Sequence, residues 1–161
     1  GVIPDPTAEQ LAEIAVSAAK AFRTVVSDTP RVALLSFSTK GSANHPRIDK
    51  VREAVDILHR TVPDLIVDGE LQYDAAAVPE VASRKAPGSP VDGRANVFVF
   101  PSLEAGNIAY KLTQYFGGYA ALGPMLQGFA KGWYDLSRGC SSEDIYQVAA
   151  VGMTMSRGGT R

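Results

Sequence analysis

The stretch VALLSFSTKGSANHPRIDKVREAVDILHRTVPDLIV, residues 32–67, determines the predicted fold class. It begins with a short apolar run of strand-forming residues, Val32 to Phe37, and ends with another, Leu65 to Val67. Between them lie a polar loop and a segment with apolar residues at helical spacing, from Ile48 to Leu58. A strand, a helix and a second buried strand form a βαβ unit, which predicts parallel strands joined by a right-handed crossover.

The same alternation continues on both sides of this unit. Thr7 and Gln10 have the spacing of a capping box that starts a helix. This amphipathic helix should pack on the sheet, and it should end before Pro30. Further along, the patterns predict a short helix over 74–83 interrupted at Pro79, a strand over 96–100, and a helix over 103–116 closed by two glycines. We therefore predict an α/β domain over residues 1–125, built as a three-layer, open, mostly parallel sheet with helices on both faces.

Composition restricts the function classes. A chain of 161 residues with 45% hydrophobic and 20% charged residues is typical of one globular domain. A formal net charge of -1 disfavours nucleic-acid binding. No apolar run approaches membrane-spanning length. Cys140 is the only cysteine, so no internal disulfide can form. We expect a cytoplasmic protein that associates with neither nucleic acid nor membrane.

Ligands of open parallel sheets bind where the strands end, so the loops 36–42, 68–74 and 101–107 are the predicted binding surfaces. The first loop offers candidate phosphate-binding groups, although the glycine spacing of a P-loop is missing: Ser36, Thr39, Lys40 and Gly41. Alternatively, Ser42 and Asn44 merely start the next helix. Asn107 and Lys111 are four residues apart on one helix face and could both reach into a cleft, or the lysine could simply be solvated.

A second candidate site is YDLSRGCSSED, residues 134–144, which precedes another helical pattern. The free amides of a helix start and the guanidinium of Arg138 together suit an anion. A structural alternative is that Ser141 and Asp144 form a capping box and nothing more. Cys140 has no histidine nearby in sequence that could activate it as a nucleophile. His45 and His59 lack the spacing of metal ligands, so we predict no metal site. Residues 123–132 are predicted to be a connector, and residues 157–161 a frayed tail.

Six segments also carry a family resemblance. They are LSFSTKGS (35–42), DGELQYD (68–74), KAPGS (85–89), ANVFVFP (95–101), AGNIAYK (105–111) and DLSRGCS (135–141). In this order they resemble the C-terminal half of enzymes of the phosphate acetyl/butyryltransferase family, and within it the phosphate acetyltransferases. The resemblance implies transfer of an acetyl group between coenzyme A and inorganic phosphate, with acetyl-CoA, phosphate and acetyl phosphate as partners and no metal or redox cofactor.

The resemblance also implies roles for individual residues. Asp144 would be the base that takes the proton from the coenzyme A thiol, Ser137 would stabilise the developing negative charge, and Arg138 would hold the anionic substrate. Cys140 would be a neighbour of the substrate and not a nucleophile. The substrate-binding residues would be Cys140 together with the candidates from the first loop and from the predicted helix 103–116: Ser36, Thr39, Lys40, Gly41, Asn107 and Lys111.

Family enzymes have an isocitrate dehydrogenase-like, two-domain architecture and commonly form dimers, so the resemblance implies a homodimer. It also implies that residues 126–161, which carry the catalytic motif and the last helix, pack toward an N-terminal domain that this chain does not contain. We therefore expect little transferase activity from these 161 residues alone. Two alternatives remain open: a phosphate butyryltransferase, and an acetyl-CoA-sensing domain of the kind fused to malic enzymes. A dinucleotide-binding domain is disfavoured because no strand is followed by Gly-x-Gly-x-x-Gly.

Overall fold

A computed structural model describes residues 2–129 and 131–158. The helices and strands follow one another in this order: α1 (Ala8–Val26), β1 (Arg31–Leu35), α2 (Pro46–Thr61), β2 (Ile66–Leu71), α3 (Tyr73–Ala77), α4 (Pro79–Lys85), β3 (Val97–Val99), α5 (Leu103–Tyr115), β4 (Met125–Leu126), β5 (Trp133–Tyr134) and α6 (Ser142–Gly158). The predicted alternation of strands and helices is confirmed through α5.

The main sheet has three strands in the order β2-β1-β3, and β1 pairs in parallel with both neighbours. Val32 and Leu34 face one side of β1 and pack with the apolar faces of α1 and α2. Ala33 and Leu35 face the other side and pack with α3 and with Ala86 at the end of α4. The sheet is therefore covered on both faces, as predicted, and its all-parallel pairing follows from the helical crossovers.

Local signals account for most helix ends. The amide of Gln10 donates to the Thr7 hydroxyl, and the amide of Thr7 donates to the Gln10 side chain, which confirms the predicted capping box. Pro79 begins α4 and separates it from α3, because proline is tolerated in the first turn of a helix and not in its interior. The alternative in which Ser42 and Asn44 start α2 is wrong: His45 is its N-cap, and the His45 ring accepts the amide of Arg47.

Two predictions about the chain path need correction. Residues 68–74 were expected to form a loop, but β2 continues to Leu71, so Asp68 and Glu70 are buried strand residues. Charged residues can occupy these positions because each has a cationic partner. The connector expected over 123–132 contains a strand of a small antiparallel hairpin, in which Met125 pairs with Tyr134. Of the expected tail, residues 157 and 158 belong to α6 and residues 159–161 lie outside the described part.

The end of the described chain packs against its beginning. Helix α6 lies against α1, and the Tyr134 hydroxyl donates to the carbonyl of Gly152 at 3.4 Å, which ties the hairpin to α6. Helix α5 differs from the other long helices, because none of its 13 residues, all of which are described, is buried. In the described part of the chain no helix is long and apolar enough to cross a bilayer.

Candidate active site

A cleft lies where the strand order reverses. The chain passes from β1 to β2 on one side and returns to β3 on the other, so the loops that follow β1 and β3 diverge at the carboxyl edge. Such a crevice is the usual ligand site of an open α/β sheet. A cleft of about 910 Å³ opens here, at the upper end of the size range of small-molecule sites.

Two residues predicted from the sequence line this cleft. Ser36 follows β1, and Asn107 lies in the second turn of α5. The cleft also contains two cations that the sequence reasoning missed, Arg47 and Lys50. The spacing of Arg47 and Lys50 at the start of α2, directly after the predicted loop, was a signal that could have indicated them.

The cleft contains charges of both signs, because Asp5 and Glu104 line it together with Arg47 and Lys50. The first turns of both α2 and α5 contribute to its lining, so the positive ends of two helix dipoles are close to it. Lys50 is held by the carboxylate of Asp5 and by the carbonyl of Pro101, at 3.2 Å from its ammonium. The Lys50 ammonium, as hydrogen-bond donor and nearby charge, lowers the pKa of Asp5, so Asp5 stays charged and offsets part of the cationic charge.

The other candidate residues of the first loop, Thr39, Lys40 and Gly41, do not line this cleft. Thr39 is buried, accepts the amide of Gln72 at 2.8 Å, and donates from its hydroxyl to the Gln72 side chain at 3.3 Å. Lys40 and Gly41 line a second cleft of about 740 Å³ beside β2, together with Asp68 and Glu70. The Lys40 ammonium pairs with Asp68, whose other carboxylate oxygen is buried without a hydrogen-bond partner among the described residues.

Lys111 lies one helical turn beyond Asn107 but does not line the cleft that contains Asn107. Its ammonium lies 5.2 Å from the ring centroid of Tyr110, and its side chain is exposed. The two residues do lie on one helix face, as their spacing predicts.

The catalytic motif predicted from the resemblance forms an exposed turn before α6. The amide of Gly139 donates to the Ser137 hydroxyl at 3.3 Å, and the amide of Cys140 donates to the Ser137 carbonyl at 3.0 Å. Arg138 is exposed, whereas Cys140 is half-buried. Neither of the two clefts described above is lined by this turn.

Asp144 is part of the capping box that its spacing predicts. Its carboxylate accepts the amide of Ser141 at 2.7 Å and the Ser141 hydroxyl at 2.8 Å, while the amide of Asp144 donates back to that hydroxyl at 3.2 Å. The backbone hydrogen bond from Ser141, supported by the one from its hydroxyl, lowers the pKa of Asp144 from its ordinary value. In this setting Asp144 is an anionic helix cap.

Among the described residues, no three His, Cys, Asp or Glu side chains lie close enough to hold a metal ion. Apart from Lys111, the predicted site residues thus fall into three places: the switch-point cleft, the loop beside β2, and the turn before α6 together with the first turn of α6. The first two places adjoin the carboxyl edge of the sheet. The switch-point cleft lies between the loops that follow β1 and β3, and the second place lies in the loop that follows β1.

Comparisons with known proteins identify the family. Over 150 residues the chain is 57% identical to phosphate acetyltransferase of Thermoanaerobacterium thermosaccharolyticum. The matched segment covers 93% of this chain and 46% of that protein. It is 56% identical over 159 residues to phosphate acetyltransferase of Treponema pallidum, covering 98% of this chain and 47% of that protein. The structure resembles a phosphotransacetylase from Streptococcus pyogenes with a TM-score of 0.92 and 52% identity, over 98% of this chain and 47% of that one.

The chain therefore spans about half the length of the curated relatives that it matches. The family model of phosphate acetyl/butaryl transferase matches residues 1–153. A match over nearly the whole chain, together with the shared parallel sheet and its flanking helices, means that this chain belongs to the phosphate acetyl/butaryl transferase family.

Proposed function

We propose that this chain forms one wall of a site that transfers an acetyl group between coenzyme A and inorganic phosphate. The observation that carries the proposal is the 57% identity to a phosphate acetyltransferase over 93% of the chain. The cleft at the strand-order switch supports it, since Arg47 and Lys50 offer cationic groups to a phosphorylated substrate beside the positive ends of α2 and α5.

The proposed reaction converts acetyl-CoA and phosphate to acetyl phosphate and coenzyme A. In the reverse direction, a base must first activate the coenzyme A thiol. Asp144 takes the proton from the coenzyme A thiol, and the thiolate attacks the carbonyl carbon of acetyl phosphate. The carbonyl electrons move to oxygen in a tetrahedral oxyanion that Ser137 stabilises by a hydrogen bond. The oxyanion then collapses, the carbon–oxygen bond to phosphate breaks, and phosphate leaves with the electron pair while Arg138 holds it.

The capping geometry places a condition on this mechanism. A thiol has an ordinary pKa of about 8.5, so a carboxylate held at low pKa accepts its proton reluctantly. Asp144 becomes a better base when its surroundings are dry, because desolvation raises the pKa of a carboxyl group. In the described structure its motif is open to solvent. We therefore propose that a further part of the protein, the N-terminal domain of an isocitrate dehydrogenase-like two-domain enzyme, closes over residues 126–161.

The exposed apolar side of α5 supports a second element of the proposal, a homodimer. Five large apolar or aromatic residues of α5 and of the segment just after it are more than half exposed: Ile108, Leu112, Tyr115, Phe116 and Tyr119. Contiguous apolar surface of this kind marks an interface. We also propose that the protein uses no cofactor beyond its coenzyme A substrate and that it is cytoplasmic, as the sequence predicts.

Acetyl-CoA and phosphate turnover in the full-length protein tests the function. We expect acetyl phosphate to form with release of free thiol, and acetyl-CoA to be preferred over butyryl-CoA. Faster turnover of butyryl-CoA would favour the phosphate butyryltransferase alternative. Binding of acetyl-CoA without turnover would favour the sensing domain, which the names of both relatives disfavour. The isolated 161 residues should show little activity, because Asp144 lacks its dry surroundings.

A further inference from the structure

A buried carboxylate outside the proposed catalytic residues organises the first loop. Glu70 in β2 is 2% exposed, and both of its carboxylate oxygens accept hydrogen bonds. One oxygen accepts the Ser38 hydroxyl at 2.8 Å, the Gly41 amide at 2.9 Å and one Arg52 nitrogen at 3.0 Å; the other accepts the Arg52 Nε at 2.9 Å. The guanidinium thus binds Glu70 side-on, and two loop residues share the same carboxylate.

The loop needs this support because of its backbone conformation. Lys40 has a φ of 46°, in the left-handed region that side chains other than glycine rarely occupy, and Gly41 follows at 85°. Such conformations persist only where surrounding contacts enforce them. Here the amide of Lys40 donates to the Glu70 carbonyl at 3.2 Å, and its ammonium donates to the Gly69 carbonyl at 3.1 Å and pairs with Asp68.

A short chain of hydrogen bonds connects Glu70 to the switch-point cleft. The Ser38 hydroxyl donates to Glu70, and the amide of Ser38 donates to the Ser36 hydroxyl at 3.4 Å. Ser36 lines the cleft, and its own amide is held by the Leu71 carbonyl at 2.9 Å. The direction of the Ser36 side chain therefore depends on the position of Ser38, which Glu70 holds.

We propose that Glu70, clamped by Arg52, is a positioning residue that fixes the 36–42 loop so that Ser36 is presented to a coenzyme A ligand in the switch-point cleft. The proposal rests on the proposed function for the identity of the ligand, and on the contacts of Glu70 for the mechanism. Glu70 itself does not line that cleft. It acts through Ser38 and Ser36.

A glutamine at this position tests the charge with little change of volume. Its amide group can reproduce one acceptor, but its NH₂ group then faces either the Arg52 nitrogens or the two loop donors. Donors that face donors repel, so either Ser38 and Gly41 lose their acceptor or the side chain loses the Arg52 Nε contact that holds it in place. Leu58→Ala is the matched control, since Leu58 is fully buried in α2 and belongs to the cluster packed between that helix and the sheet.

Two measurements on the full-length protein separate positioning from mere destabilisation. The first is amide hydrogen exchange of residues 36–42, and the second is the Kd of coenzyme A measured by calorimetry. In Glu70→Gln we expect the Gly41 amide to lose its protection and the Kd to rise about tenfold or more, as expected for a misplaced donor and the loss of about 1.4 kcal/mol. Leu58→Ala should lower the melting temperature at least as much and leave both readouts of the loop near wild type.

An unchanged Kd in Glu70→Gln, or an equal rise in Leu58→Ala, would overturn the inference. So would loop protection that survives the glutamine substitution. A wild-type protein that binds coenzyme A but does not form acetyl phosphate would refute the proposed function alone, because loop exchange and Kd still decide whether Glu70 positions Ser36. Arg52→Lys, which keeps the charge but loses the side-on geometry, should give a smaller Kd change than Glu70→Gln.

Discussion

Asp144 accepts two hydrogen bonds from Ser141 and is also the group proposed to take a proton from a thiol. These roles oppose each other in one respect, since the hydrogen bonds that make Asp144 a good cap lower its pKa and weaken it as a base. They are compatible if the cap fixes the orientation of the carboxylate while a second domain excludes water from it. Substitutions at this residue and at Ser141 separate the two roles.

Asp144→Asn in the full-length protein should keep the cap and remove the base. The asparagine oxygen can still accept the Ser141 amide, so we expect stability to change by about 1 kcal/mol at most. Loss of a general base should reduce kcat by about 10²–10⁴-fold. Ser141→Ala is the control: it removes the hydroxyl that accepts the Asp144 amide and donates to the Asp144 carboxylate, costs about 1 kcal/mol in the same cap, and leaves the carboxylate with its bond from the Ser141 amide. Near-normal kcat in Asp144→Asn would show that this carboxylate is a cap only.

At the scale of single elements, β2 and α2 are joined by a charged contact inside the protein. Burial disfavours the charged form of Glu70, but the hydrogen bonds from Arg52, from the Gly41 amide and from Ser38 outweigh it and lower the pKa of Glu70 to about 2. The carboxylate is therefore charged in the folded protein over the whole physiological range. Its contacts couple the end of β2 to the loop after β1 and to the second turn of α2.

This coupling predicts a loss of stability in acid. The folded pKa of Glu70, about 2, lies below the ordinary value of 4.5, so the contribution is fully present above pH 4.5 and is lost as the pH falls toward 2. It amounts to at most about 3 kcal/mol, because each pKa unit is worth about 1.4 kcal/mol and solvent weakens the pair at the 36% exposed Arg52 side chain.

Urea unfolding of this chain at a series of pH values measures the effect. The difference in unfolding free energy between wild type and Glu70→Gln should be largest at neutral pH and shrink below pH 4.5. Subtracting the variant removes the contribution of other carboxyl groups, since these titrate in both proteins. A difference that stays constant from neutral pH to about pH 2.5 would contradict the assignment.

At the scale of the whole molecule, the described structure has a well-packed side and an open side. The sheet, α1 and α2 enclose the main apolar cluster. Helix α5 and the chain beyond it expose large apolar side chains instead, with Phe116 94% exposed. Exposed apolar surface is unfavourable in water, and contact with another copy of the protein would bury it. This is the reason for proposing that the open side forms the dimer interface.

Leu112→Ser combined with Phe116→Ser should weaken that association without unfolding the chain. Both side chains are more than half exposed, so the folded state loses few contacts and stability should change by about 0.5 kcal/mol or less per site. Sedimentation equilibrium of the full-length protein should show a dimer in the wild type and a shift toward monomer in the variant. Val26→Ser, at an exposed position of α1, serves as the control and should leave the dimer intact. Unaltered association in the double variant would rule out this side of α5 as the interface.

Sequence patterns were sufficient for the features that depend on near neighbours in the chain. The βαβ alternation, the Thr7 and Gln10 capping box, the break at Pro79 and the capping box of Asp144 follow from helical or strand periodicity and from local hydrogen bonding. These predictions concern contacts within a few residues, where propensity and spacing restrict the backbone directly. The quoted motifs likewise identified the family, because an ordered series of short segments is specific even when each one is weak.

The tertiary structure alone decided the features that require distant residues to meet. Glu70 was predicted to lie in a loop, whereas it occupies a buried strand, where a charged residue is costly; only Arg52, 18 positions earlier, together with the loop after β1, removes that cost. The switch-point cleft depends in the same way on β3 pairing with β1 on the side opposite to β2. The sequence by itself determined the elements, the caps and the family; strand pairing and burial determined where charges are tolerated and where a ligand can enter, because both depend on contacts between segments far apart in the chain.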